Sequence, residues 1–104
     1  MTVREFQKLI EAEFGARDAR RGMPGTFLWF AEEVGELAEA LRRGTQQERE
    51  EEFADVLAWL STLATIAGVD LEGAALGKYG KGCPRCGKTP CGCREQACGP
   101  AHQL

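Results

Sequence analysis

Glu32, Glu33, Glu36 and Glu39 crowd the stretch WFAEEVGELAEALRRG, residues 29–44, and Glu52 and Asp55 follow in EEFADVLAWL, residues 51–60. Like charges three or four residues apart on a helix are surface neighbours and cost roughly 0.2–0.5 kcal/mol per pair. At about 100° per residue, Glu33 and Glu36 fall at the edge of an apolar stripe, beside Trp29 and Leu37. Glu32 and Glu39 point further towards solvent. Glu52 and Asp55 repeat the arrangement on the next helix, beside Trp59. The short connection around Gly44–Gln47 makes the two helices antiparallel neighbours, so two E-x-x-E/D pairs converge on one spot. Carboxylates gathered there cannot all stay ionised without a cation. Oxygen ligands of this kind suit hard divalent ions, Mg²⁺ or Mn²⁺. Acidic helix surfaces are common, and Glu48, Glu50 and Glu51 read as solvated charge. What points to metal is two pairs on adjacent helices. A di-iron bundle site would need Glu-x-x-His pairs, and the only histidine is His102. No EF-hand loop is present either.

A second set of potential ligands is sulfur. All five cysteines lie in the last 22 residues, and Cys83, Cys86, Cys91 and Cys93 are spaced C-x₂-C-x₄-C-x-C. A C-x-x-C followed by glycine is similar to one knuckle of a zinc ribbon, and four thiolates would complete a tetrahedral Zn²⁺ site. The second half is more compressed than in a usual ribbon. Lys81, Arg85, Lys88 and Arg94 flank the cysteines and would offset the charge of a four-thiolate zinc centre. Cys98 and His102 are substitute ligands. A flexible thiol-rich tail and a redox pair are the competing readings, although a thioredoxin-like pair calls for a βαβ setting that is missing here.

The elements that position these groups are helical. Thr2 caps a first helix with Val3, Phe6, Leu9, Ile10 and Phe14 at helical spacing, running to about Arg21. GMPG at 22–25 breaks it. A second helix opens near Pro24 or Thr26 and ends at Gly44, with Phe27, Phe30, Val34, Leu37, Ala38 and Leu41 as its stripe. Thr45 caps a third helix to Gly68, and Glu48 completes a capping-box pattern. Asp70 caps a short fourth. No strand pattern and no repeat appears. The expected fold is all-α, an antiparallel bundle of about four helices over residues 1–80, with an irregular Cys-rich tail over 81–104.

On the third helix Phe53, Val56, Leu57, Leu60, Leu63, Ala64 and Ala67 read as the core stripe. The opposite face, Ala54, Ala58, Ser61, Thr62 and Thr65, is small. A helix apolar or small nearly all round is normally buried, and this chain has too few helices to surround one of its own. The small face is therefore expected to pack on a second copy, giving a homodimer or homotetramer; the alternative is a monomer with an apolar surface.

Composition narrows the partners. A hydrophobic fraction of 43% and a charged fraction of 28% are those of a globular protein. The net charge of −3 conceals an acidic body, −7 over residues 1–77, and a basic tail, +4 over 78–104. An acidic body disfavours a nucleic-acid polymer as partner. The amphipathic N-terminus is not a signal peptide, and no apolar run of about 18 residues exists to span a membrane. A cytoplasmic setting is expected, where structural disulfides are rare.

EEVGELAEAL followed by EEFADVLAWL resembles the MazG-like nucleoside triphosphate pyrophosphohydrolases, whose pattern is E-E-x-x-E and then E-x-x-D. The resemblance covers roughly residues 3–80. It implies an all-α oligomer that hydrolyses a (deoxy)nucleoside triphosphate to monophosphate and pyrophosphate with Mg²⁺, often to cleanse the nucleotide pool. By the match, Glu33, Glu36, Glu52 and Asp55 are the metal ligands, and Glu32 is a further ligand or orients water. Basic groups after the third helix grip phosphates in the family, which makes Lys78 and Lys81 the positional candidates here. Trp29, Phe30 and Trp59 are available to stack a base, but aromatics at helical spacing more often form core. The competing function is non-enzymatic, a zinc-knuckle interaction module on a helical dimer.

Overall fold

The computed structural model describes residues 1–94 and contains three helices, α1 (Val3–Arg43), α2 (Gln46–Ile66) and α3 (Leu71–Tyr79), with no strand among the described residues. Cys98 and His102 lie outside the described residues. The chain divides into a compact unit of Met1–Leu71 and a second that begins at Glu72.

Capping sets the helix starts. Thr2 and Thr45 each accept the backbone N–H of the residue three ahead, and Glu5 and Glu48 reach back to the cap N–H, at 2.8 and 3.0 Å. Each box satisfies two backbone donors that a helix start leaves open. Glu48 is therefore part of a cap rather than a merely solvated charge. At the other end of α2, Val69 N donates to Ala64 O at 2.8 Å and Gly68 N to Thr65 O at 3.1 Å, a Schellman closure.

Where the sequence suggests two helices parted at 22–25, the structure joins them as α1 with a break at Gly22, whose φ of 79° and ψ of 174° are non-helical. Only glycine takes such a φ without steric cost. Pro24 follows within the first turn of the second arm, where a missing N–H goes unnoticed. The fully buried Thr26 bridges the break, its Oγ1 donating to Gly22 O at 2.7 Å. The break matters because α1 is nearly twice the length of α2. A straight α1 would carry its first arm past the end of its partner. Instead Asp18 reaches Thr62, and Gln7 donates to Thr65 Oγ1 and Val69 O while its Oε1 accepts from Leu71 N. The buried Gln7 thereby satisfies the backbone just beyond α2. Nearby, Arg4 grips the Asp70 carboxylate through Nε and Nη2, the latter at 2.8 Å.

The faces of α2 depart from the sequence expectation. Ser61 and Thr62 of the small face are buried and Phe53, Leu57 and Leu60 of the expected core stripe are exposed, whereas Ala64 of that stripe is buried, Val56 and Leu63 are half-buried, and Ala54 of the small face is exposed. Small side chains let α1 approach closely, and the hydroxyls find partners within the chain: Ser61 donates to Leu57 O and Thr62 to Asp18. The Ser61–Thr62 part of the small face is thus covered by α1 of the same chain, and Phe53, Leu57 and Leu60 are left outside. The second arm of α1 matches them, with Phe27, Val34 and Leu41 exposed at seven-residue intervals. Ala40 and Ala64 are the buried apolar residues.

Candidate active site

The turn between α1 and α2 fixes the register of the carboxylates. Gly44 and Thr45 alone separate the helices, Gly44 N donates to Ala40 O at 2.8 Å, and Arg49 Nε donates to the same carbonyl at 3.1 Å. Counting back from this clamp, α1 presents Glu36 and Glu33 to Glu52, and Trp29 to Trp59.

One carboxylate oxygen from each of Glu33, Glu36 and Glu52 lies within 4.8 Å of the other two. Glu33 Oε2 and Glu52 Oε2 are buried, and neither has a hydrogen-bond partner. Buried carboxylate oxygens that no donor meets are costly unless a cation meets them or one carboxyl keeps a proton, as in the Glu33–Glu52 hydrogen bond that enters the electrostatics of both. The electrostatics agree. Burial, followed by the charges of Glu36, Asp55 and Glu52, pushes the Glu33 carboxyl up to about 7. Glu52 is raised as well, by burial first and then by Glu36 and Asp55. The donor set is all oxygen and anionic, which fits a hard divalent cation.

Asp55 stands beside this trio rather than in it. It lines a cavity of about 530 Å³ with Trp29, Trp59, Arg17, Asp18 and Arg21. The two indoles stack with centroids 6.1 Å apart and planes 12° from parallel, and the Arg21 guanidinium lies 4.8 Å from the Trp59 ring centroid. Asp18, buried, holds Arg21 through a 3.0 Å ion pair and accepts from Thr62 Oγ1 at 3.1 Å. On the other side, Glu36 and Glu52 border a hollow of about 370 Å³.

The remaining expected residues fall elsewhere. Glu32 is exposed and outside the trio. Glu39 is engaged by Arg43 at 2.7 Å. Lys78 lies in the last turn of α3 with its Nζ 5.6 Å from the Tyr79 ring centroid, and Lys81 is exposed in the turn that follows. Sequence reasoning missed Asp18 and Arg21. The available signal was that they continue the 10–14 helical stripe, which places charged residues on a face otherwise directed inward. In the second unit the sulfurs of Cys83, Cys86, Cys91 and Cys93 come within 4.8 Å of one another, close enough to share an ion.

The body is thus all-helical, with three converged carboxylates that could hold a metal ion beside an aromatic cavity. The family model of the MazG nucleotide pyrophosphohydrolase domain matches residues 24–87, more than half of the chain, and the protein belongs to that family. The match contains all four acidic residues of the site together with α2 and α3. Among curated proteins no match is found.

Proposed function

We propose that this protein is a Mg²⁺-dependent nucleoside triphosphate pyrophosphohydrolase that releases pyrophosphate and a nucleoside monophosphate, acting on the cytoplasmic nucleotide pool. The observation that carries the reading is the pair of buried, unpartnered oxygens of Glu33 and Glu52, inside the segment matched by the family. Glu33, Glu36, Glu52 and Asp55 would hold Mg²⁺ or Mn²⁺. When bound, such ions offset negative charge at phosphorus and lower the pKa of an attacking water.

The chain's own groups do the rest. Asp55 belongs both to the carboxylate site and to the aromatic cavity, so a nucleoside seated against Trp29 and Trp59 has its phosphates directed to the carboxylates. Flat aromatic walls suit a base because every base offers a π-face. The buried Asp18 fixes Arg21 against Trp59 and keeps the guanidinium at the cavity wall. Glu32 is a further ligand or water-orienting group in this reading, while Lys78 and Lys81, for which the resemblance implies phosphate contacts, belong to the second unit. The direct test is incubation with a panel of nucleoside triphosphates, with Mg²⁺ or with EDTA, scoring pyrophosphate against orthophosphate. Metal-dependent pyrophosphate is expected. Orthophosphate would refute the reaction assigned here, and no turnover of any triphosphate would favour the non-enzymatic interaction module.

The active form in this reading is a homodimer or a dimer of dimers. Phe27, Val34 and Leu41 on α1 and Phe53, Leu57 and Leu60 on α2 form coherent exposed stripes, larger in character than the scattered apolar residues of a monomer surface. Light scattering at micromolar concentration should give a multiple of the chain mass, 11.4 kDa. Phe53→Asp together with Leu57→Asp should reduce it towards one chain. A folded parent protein that scatters as a monomer would remove this part of the reading.

A further inference from the structure

Residues 80–94 form an ordered turn system with no large apolar side chain to hold it. The segment GKGCPRCGKTPCGCR contains no Val, Ile, Leu, Met or aromatic side chain, and its apolar groups are two prolines beside the cysteines, so burial offsets little of the entropy of ordering it. Yet its backbone closes on itself: Gly82 N donates to Tyr79 O at 3.0 Å, Cys83 N to Lys88 O at 3.1 Å, and Gly87 N to Cys83 O at 2.7 Å. At Gly82, whose φ is 96°, an added Cβ would lie 2.6 Å from Thr89 Oγ1 and 3.0 Å from Lys88 O. The turns are packed backbone against backbone, around sulfur.

Backbone donors are aimed at those sulfurs. Arg85 N lies 3.4 Å from Cys83 Sγ, Gly92 N lies 3.3 Å from Cys86 Sγ, and Cys93 N lies 3.3 Å from Cys91 Sγ. These contacts hold three of the four sulfurs in place against the turn backbone. No Asp, Glu or His occurs between residues 73 and 94, so the ligand set is sulfur alone. The four sulfurs, all within 4.8 Å of one another, need only contract to the roughly 3.8 Å edge of a tetrahedron with metal–sulfur bonds of about 2.3 Å.

We infer that Cys83, Cys86, Cys91 and Cys93 bind one structural Zn²⁺, which takes the place of a hydrophobic core for residues 80–94. Four thiolates on Zn²⁺ carry a net charge of −2, and Lys81, Arg85, Lys88 and Arg94 surround it with positive charge. Soft sulfur ligands in a closed tetrahedral set select zinc over the hard ions that suit the carboxylates. Because the segment has no other means of folding, binding and folding of the knuckle are one event. The ion's part is structural, and the carboxylate site is a separate centre with its own metal.

Elemental analysis of the full-length protein, purified reduced and without chelator, should find one zinc per chain. Replacement by Co²⁺ should give the intense visible bands of tetrahedral cobalt thiolate. Cys86→Ser and Cys91→Ser should lose both zinc and bands, while Cys98→Ser keeps them. Circular dichroism of the same variants should show that α1 and α2 persist, which separates metal loss from global unfolding. Substoichiometric zinc with no cobalt thiolate bands would overturn the assignment. So would iron in place of zinc, or loss of the bands in Cys98→Ser.

Discussion

Glu36→Gln should abolish pyrophosphate release while leaving the helices in place. Gln keeps the volume of Glu and removes one negative charge from a trio whose oxygens lie within 4.8 Å. Losing an outer-shell partner of a metal ligand typically costs about 10–100-fold in affinity or activity, and removal of a direct ligand should exceed that. Glu52→Gln and Asp55→Asn should be comparably damaging. Asp55 is outside the trio, but its charge acts on Glu33 and Glu52 and it forms the cavity wall. Groups that act as one unit are non-additive, so the double variant should be little worse than either single one. Glu50→Gln is the control, an exposed residue of α2 whose carboxylate accepts from Gln46. The readout is pyrophosphate formed per chain at saturating Mg²⁺. Near-parental turnover in Glu36→Gln or Asp55→Asn would mean the carboxylates do not hold the catalytic ion.

The helices and their acidic site were legible because the signals are local. Thr45 with Glu48, the glycine at 44 and the two acidic pairs are all read within a few residues of one another, and a two-residue turn leaves little freedom in pairing α1 with α2. What failed was the assignment of faces on α2. Hydropathy marks Phe53, Leu57 and Leu60 as inward, but in a subunit this small the tightest intrachain contact belongs to Ser61 and Thr62. Their size permits close approach, and their hydroxyls meet Leu57 O and Asp18. The roles of Gln7, Asp18 and Arg21 were equally hidden. The Asp18–Arg21 pair follows helical spacing, but the contacts of Gln7 with Val69, Asp18 with Thr62 and Arg21 with Trp59 span separations that no periodicity encodes.

Without metal, the carboxylate site should make the protein less stable as pH rises, and Glu33→Gln should cancel much of that loss. The sign follows from the direction of the shift. Glu33 is raised from the ordinary carboxylate range to about 7, so between about 4.5 and 7 the folded chain holds a proton that the unfolded chain has released. Stability from this group is complete below the unfolded value and is lost as pH climbs through the folded one. Glu52 moves in the same direction. Glu5 and Glu48 move the other way, because their cap hydrogen bonds lower them, so the informative quantity is the difference between parent and variant, in which the caps cancel. In EDTA, thermal melts should show Glu33→Gln close to the parent at pH 5 and more stable at pH 8. Adding Mg²⁺ at pH 8 should reverse the order. A ligand at about 100 times its dissociation constant stabilises the folded state by about 2.7 kcal/mol, and only the parent retains the full site. A variant that melts below the parent in EDTA at pH 8 would show that Glu33 is not held against repulsion there. Equal stabilisation of both by Mg²⁺ would show that the ion binds elsewhere.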